Sequence, residues 1–209
     1  MSESLPTRVV PLEAGASAEN PPCPACGEPL FGWLDRQPGL AGPVSRCESC
    51  GLGVVGAAAD PAEALRELDR RGDREAVRIA NRASYACALG SAGWAGIEPG
   101  ARYLFSVESA RRLVARRDQV VKRARWRPLA GLAATWQSLL NSVTFGHNVA
   151  LAAFGRARGV EADQPWKRFI DALASVVLAI PALAIALPVE LAGGLFRRGA
   201  VVDLELELL

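Results

Sequence analysis

The sequence predicts an α+β protein. An N-terminal ribbon closed around a metal ion is followed by a mostly helical region with a small antiparallel sheet and a long apolar helical segment. Three observations carry this. Two Cys-x-x-Cys pairs stand near the N-terminus, Cys23-Pro24-Ala25-Cys26-Gly27 and Cys47-Glu48-Ser49-Cys50-Gly51, with twenty residues between them. Residues 172–189 carry no charge at all. Residues 201–209 alternate, with Val201, Asp203, Glu205 and Glu207 between Val202, Leu204, Leu206 and Leu208, the pattern of a half-buried strand.

The cysteines come first. A tetrahedral zinc site needs four soft ligands at about 2.3 Å from one ion. Two residues between paired thiols let a tight turn aim both sulfurs at one point, and the glycine after each pair relieves the backbone there. Cys23, Cys26, Cys47 and Cys50 are therefore the expected zinc ligands, in a ribbon over residues 21–56. A redox dithiol, an iron site and a disulfide pair are the other readings of the same spacing. Four cysteine ligands leave no open position for a catalytic water, so the zinc is expected to be structural.

Composition sets the bounds. The 209 residues suit one or two domains. Half are apolar, high for a soluble protein, and this hints at membrane contact. A net charge of +2 makes no strong case for nucleic acid. Residues 1–20 read as a disordered tail without the apolar core of a signal peptide. Thiol ligands without such a signal point to a reducing cytoplasm. The fifth cysteine, Cys87, sits among Ala86, Ala88 and Leu89 and reads as a buried, inert thiol.

The remaining elements follow in order. Phe31, Trp33 and Leu34 are expected to supply the ribbon's small core, with turns at Pro38, Gly39 and Gly42. Residues 57–100 form a helical linker region. Asp60-Pro61-Ala62-Glu63 opens a helix with a capping box, and Gly72 ends it. A second helix is expected over about 74–89, then a glycine-rich loop holding Trp94. Residues 101–127 hold a helix capped by Ser106, with Val107, Ala110 and Val114 on one stripe, and a strand over 119–126. Arg111, Arg112, Arg116, Arg117, Lys122, Arg123, Arg125 and Arg127 crowd this zone. They read as a solvated face or as a surface for anionic head groups.

Residues 128–198 form a helical, membrane-associated region. Over 129–158, Trp136, Leu139, Leu140 and Val143 share an apolar face. His147, the only histidine, reads as a packed or surface residue rather than a base. The apolar run over 169–196 has interface-type flanks in Trp166, Lys167, Arg168, Arg197 and Arg198. Pro181, Pro188 and Glu190 argue against one straight spanning helix, and a buried core helix pair is the bland alternative. Residues 199–209 form the terminal strand. If it pairs with the 119–126 strand, both ends of the apolar run lie on one side of a bilayer, and a hairpin broken near Pro181 or Pro188 fits better than a single crossing.

The order of these pieces resembles the zinc-ribbon class I S-adenosylmethionine-dependent methyltransferases of bacteria. The ribbon with Gly51-Leu52-Gly53-Val54-Val55 and the Asp60-Pro61-Ala62-Glu63 helix is similar to the N-terminal portion of that family. Asn81, Ser84, Gly90, Trp94 and Pro99 leading into Arg102-Tyr103-Leu104-Phe105-Ser106, then Gln137-Ser138-Leu139-Leu140-Asn141, look like its later segments. The likeness covers about four-fifths of the chain. Such enzymes hold their cofactor with a glycine-rich turn after the first strand and an acid ending the second. Here residues 57–80 are too few for one βαβ unit, which needs about 30. Gly90-Ser91-Ala92-Gly93 is no substitute, and Arg102-Tyr103 stand where the family has a His. No catalytic or cofactor-binding residue is therefore assigned.

Three functions follow as expectations. The first is a non-catalytic, membrane-associated zinc-ribbon protein derived from a methyltransferase. It would act as adaptor or regulator with a protein partner, in cell-envelope polysaccharide biosynthesis as the resemblance implies. The second is a methyltransferase that acts only with a partner chain. The third is a nucleic-acid-binding ribbon, which requires a steep salt dependence.

Overall fold

A computed structural model describes residues 20–35, 39–56, 60–72 and 75–209. The tail expected over 1–20 lies outside the described residues except for Asn20, as does Pro38. In chain order the elements are β1 (Leu30–Leu34), β2 (Val44–Cys47), β3 (Gly53–Val55), α1 (Pro61–Asp69), β4 (Ala76–Ala80), α2 (Tyr85–Gly90), β5 (Tyr103–Leu104), α3 (Val107–Val114), β6 (Gln119–Trp126), α4 (Pro128–Asn141), α5 (Val149–Ala153), α6 (Pro165–Val177), α7 (Ala179–Leu195) and β7 (Val201–Leu208). The α+β class holds: two small antiparallel sheets stand among helices, with the cysteine ribbon at one end of the chain and a bent apolar helix pair near the other.

The ribbon sheet runs β1-β2-β3-β5, every neighbour antiparallel. Leu30 and Val54, with Leu52 just before β3, face the main core, while Val44 and Val55 face a second cluster with Trp94 and Ile97. Phe31, expected in this core, is instead 43 % exposed, because the strand turns its neighbour Leu30 inward. Trp33 and Leu34 are partly buried, as a core role requires.

The second sheet has the order β4-β7-β6, with the terminal strand in the centre. Val202 and Leu204 are fully buried, while the acids between them meet cations across the strands. Asp203 lies opposite Arg78 and Arg125, and its carboxylate accepts from Arg78 at 2.7 Å and from Arg127. Glu207 takes Lys122 at 3.0 Å, and Glu205 takes Arg125. Much of the basic zone is thus a solvated, ion-paired sheet face, worth little per pair.

One expected element is corrected. The helix over 74–89 is instead strand β4 followed by the short helix α2. Val77 and Ile79 point into the core while Ala76 and Arg78 face out, so the period is two over β4. Pairing with β7 overrides the helix propensity of the surrounding Ala, Arg and Glu.

Local signals explain several boundaries. Asp60 caps α1 by accepting from the Ala62 N–H at 2.9 Å, with Pro61 in the first turn. Glu63 does not close a capping box; it binds Arg102 and the Tyr103 hydroxyl, tying α1 to β5. Ser106 caps α3 and shares a reciprocal box with Ser109. The helix expected over 129–158 is divided: α4 ends at Asn141, and Asn148 takes a left-handed conformation, φ 56°, before α5. Val143, expected on the apolar face, is exposed at this break.

The largest core joins the ribbon to the rest. Leu30, Leu52 and Val54 pack with Leu68 of α1, Val77 and Ile79 of β4, Tyr103, Phe105, Leu113, Val202 and Leu204. Full burial of each such side chain contributes about 1.5–3 kcal/mol, so the cysteine centre sits on a body much larger than a 36-residue ribbon builds alone.

Candidate metal centre and apolar hairpin

The four predicted ligands come together. The sulfurs of Cys23, Cys26, Cys47 and Cys50 all lie within 4.8 Å of one another, with Cys23–Cys50 and Cys26–Cys47 at 3.5 Å. A regular tetrahedron of sulfurs at 2.3 Å from zinc has edges of about 3.8 Å. The donor set and its spacing therefore fit a four-coordinate thiophilic ion.

The backbone around the cluster supports thiolates. Amides of Ala25 and Cys26 donate to Cys23, that of Glu28 to Cys26 and that of Leu52 to Cys50. Gly27 and Gly51 have φ of +81° and +74°, which is why glycine follows each pair. Without a cation the sulfurs compete for protons. A hydrogen bond from Cys50 lowers the Cys23 thiol to about 5, and the same bond, with burial, pushes Cys50 up. A divalent cation resolves this by replacing the shared protons.

The second knuckle is tied to the body. Ser106 Oγ donates to the Cys50 carbonyl at 2.5 Å, and Arg82 donates to the Gly51 carbonyl. Arg82 also lies over the Trp33 ring at 5.1 Å. The two other residues singled out in the sequence are structural. Cys87 is buried, its thiol pushed up to about 12 by desolvation, so it is protonated at neutral pH. His147 is buried and donates from Nε2 to the Ile97 carbonyl at 2.9 Å, and burial lowers its pKa.

At the other end of the molecule, no single helix among the described residues is long and apolar enough to cross a membrane. Helices α6 and α7 together pass on length and composition but are bent by 60°. The bend falls at Leu178, three residues before Pro181, which fits within the first turn of α7. Pro188 lies inside α7 without ending it.

The apolar stripes of this hairpin face outward. Trp166, Phe169, Ile170, Leu173, Val176 and Val177 lie on one side of α6, all exposed. On α7, Ile180, Leu183, Leu187, Leu191 and Leu195 repeat at three- and four-residue spacing, from 45 to 80 % exposed. The inner face of α7 is small: Ala182, Ala186 and Gly193, with Glu190 among them, pack on α4. Small residues on both helices allow close backbone approach, a packing common where lipid is the solvent.

Two buried carboxylates, Asp171 and Glu190, anchor the helix pair to the body. Asp171, 1 % exposed, accepts the Phe145 and Gly146 N–H groups at 2.8 Å each. Glu190, 3 % exposed, accepts from Thr135 Oγ1 at 3.0 Å and from the Ala200 N–H at 3.1 Å. A Cβ placed on Gly131 would lie 1.8 Å from Glu190 Oε1, so a larger residue there must displace the carboxylate from its partners. A buried amide chain, Gln137–Asn141–Asn148, further locks α4 to the loop at Gly93 and Ala95. Their partners are distant in sequence, and a polar residue in a helix pattern is the one signal that could have marked them.

No protein-family model, curated protein or solved structure matches this chain, so the methyltransferase resemblance gains no support from outside the chain.

Proposed function

We propose that the chain is a non-catalytic, membrane-associated zinc-ribbon protein that serves as adaptor or regulator on the cytoplasmic face of a membrane. One observation carries this reading. The α6–α7 hairpin exposes its apolar stripes while its two carboxylates are buried as anchors in the same body that holds the four cysteines. An apolar face of this size, turned outward from a folded polar body, favours a lipid interface over water. β6 and β7, which flank the region from α4 to α7, are paired over most of their length, so that region begins and ends on one side. A helix pair dipping into one leaflet satisfies that constraint, and Trp166 with Lys167 over its ring at 5.6 Å suits the head-group boundary.

The sheet topology differs from that of the resembled enzymes. Every strand pairing among the described residues is antiparallel, whereas the cofactor of the resembled enzymes sits on a parallel sheet. Descent from a methyltransferase, and a place in envelope polysaccharide biosynthesis, rest on the resemblance alone.

Fractionation tests the membrane half. The full chain is expected to sediment with membranes and to be released by detergent. Leu183→Asp with Leu187→Asp is expected to move it to the soluble fraction with its metal content intact. Recovery of the unaltered chain in the soluble fraction without detergent would refute the reading. Calorimetry with S-adenosylmethionine tests the other half: stoichiometric heat would favour the partner-dependent methyltransferase.

A further inference from the structure

A cleft of about 760 Å³ lies between the second knuckle, the start of α3, strand β6 and the end of α7. Six cations line it: Arg82, Arg111, Lys122, Arg123, Arg197 and Arg198. Two acids share the walls, but Glu48 already binds Arg46 at 2.6 Å and Glu108 binds Arg112 at 2.8 Å. Lys122 is paired with Glu207. Among the described residues the five arginines of the cleft make no ion pair. Arg82 and Arg198 are held in place instead, over the rings of Trp33 and Tyr85.

This concentration of charge exceeds what the metal centre needs. Zinc with four thiolates carries a net charge of about −2, and Arg123 and Arg197 belong to the far walls, on β6 and at the end of α7. The first turn of α3 supplies Ser106 and Val107 to the wall, where helix N–H groups favour an anion. Trp126 also lines the cleft, and its indole N–H is buried with no partner.

The position of the cleft identifies its class of occupant. Phe196, 63 % exposed, is part of the wall and caps the C-terminus of α7, next in the chain to the exposed Leu195. An anion bound by the arginines thus sits where the apolar surface of the hairpin ends. We propose that the cleft binds the phosphate head group of an anionic lipid whose chains run along α7. This assignment rests on the membrane-associated reading and adds a ligand class to it. The exposed leucines of α7 beside the cleft favour a lipid over a nucleic acid.

The test uses the full, zinc-loaded chain and two vesicle types, phosphatidylcholine alone and phosphatidylcholine with phosphatidate. Three exposed cleft arginines are changed together, Arg111→Gln, Arg123→Gln and Arg197→Gln. A control removes equal charge outside the cleft, Arg70→Gln, Arg116→Gln and Arg158→Gln. The cleft variant is expected to lose on the order of a hundredfold in affinity for phosphatidate vesicles and to keep its affinity for phosphatidylcholine. The control is expected to lose no more than about threefold. Equal losses in the two variants would overturn the cleft as a site. Failure of the unaltered chain to bind phosphatidylcholine would refute the hairpin reading, while its phosphatidate dependence would still decide the cleft. Inorganic phosphate competing as well as dihexanoyl phosphatidate would assign the site to a free phosphate instead of a lipid. An oligonucleotide bound by the unaltered chain and lost in the cleft variant would assign it to nucleic acid.

Discussion

The ribbon and the α6–α7 hairpin stand at opposite ends of the chain's chemistry. The ribbon turns its four thiols inward onto one point and packs Leu30, Leu52 and Val54 into the main core. The hairpin turns its leucines outward and keeps only small residues and two acids on its inner faces. The thiols need a cation to relieve their competition for protons, while the leucines need an apolar solvent to cover them. The difference teaches where each region's missing stabilisation comes from. The ribbon's four thiols are placed to gain it from a single ion through four directed bonds, whereas the exposed hairpin would gain it from a broad, non-directional apolar surface.

The sharpest break in this comparison is metal removal. Structural zinc contributes on the order of 10 kcal/mol of apparent free energy in small ribbons near neutral pH. Chelation is expected to make residues 21–56 protease-sensitive while α4 and α7 stay protected in detergent. Cys47→Ser should do the same, and a variant with full metal content and protease resistance would contradict the assignment.

A smaller effect is expected where the hairpin meets the body. Gly131→Val puts side-chain atoms where Glu190 Oε1 now lies, so the α4–α7 contact must open. A loss of about 3 kcal/mol is expected from this overpacking, read by denaturant titration in detergent, with zinc content unchanged. A neutral outcome would mean that Glu190 is not the anchor described.

The smallest effect concerns the sheet between the two regions. Asp203 is held below its ordinary value of 3.8, chiefly by the Arg78 hydrogen bond and also by Arg127. A carboxylate depressed in the folded state adds stability above its unfolded pKa. That contribution is lost as the pH falls through the lower folded value. Being partly exposed, it amounts to no more than about 1 kcal/mol. Asp203→Asn should flatten the fall in stability below about pH 4; an unchanged acid limb would remove Asp203 from the account.

The ribbon ligands and β6–β7 were readable from the chain because their signals are local. Thiol spacing and period-two alternation need no knowledge of distant partners. Strand β4 was not readable, since Val77 and Ile79 sit within an Ala- and Arg-rich stretch that looks helical until β7 pairs with them. The bend at Leu178 was placed a few residues late because Pro181 tolerates a helix start. Asp171 carried no signal of its own, and Glu190 read only as an argument against a straight spanning helix. Their roles depend on Phe145, Gly146, Gly131, Thr135 and Ala200, which only the tertiary structure brings to them.

The most direct test places a nitroxide on the hairpin. Cys87 is buried and the other four cysteines are the candidate zinc ligands, so an added cysteine in the zinc-loaded chain is expected to label selectively. Labels at Leu187→Cys on α7 and Arg116→Cys beyond α3 are compared by power saturation with phosphatidylcholine vesicles. The account predicts that oxygen reaches the label at 187 better than a water-soluble nickel chelate does, with the reverse at 116. Equal, water-like accessibility at both positions would contradict the claim that the hairpin lies in lipid.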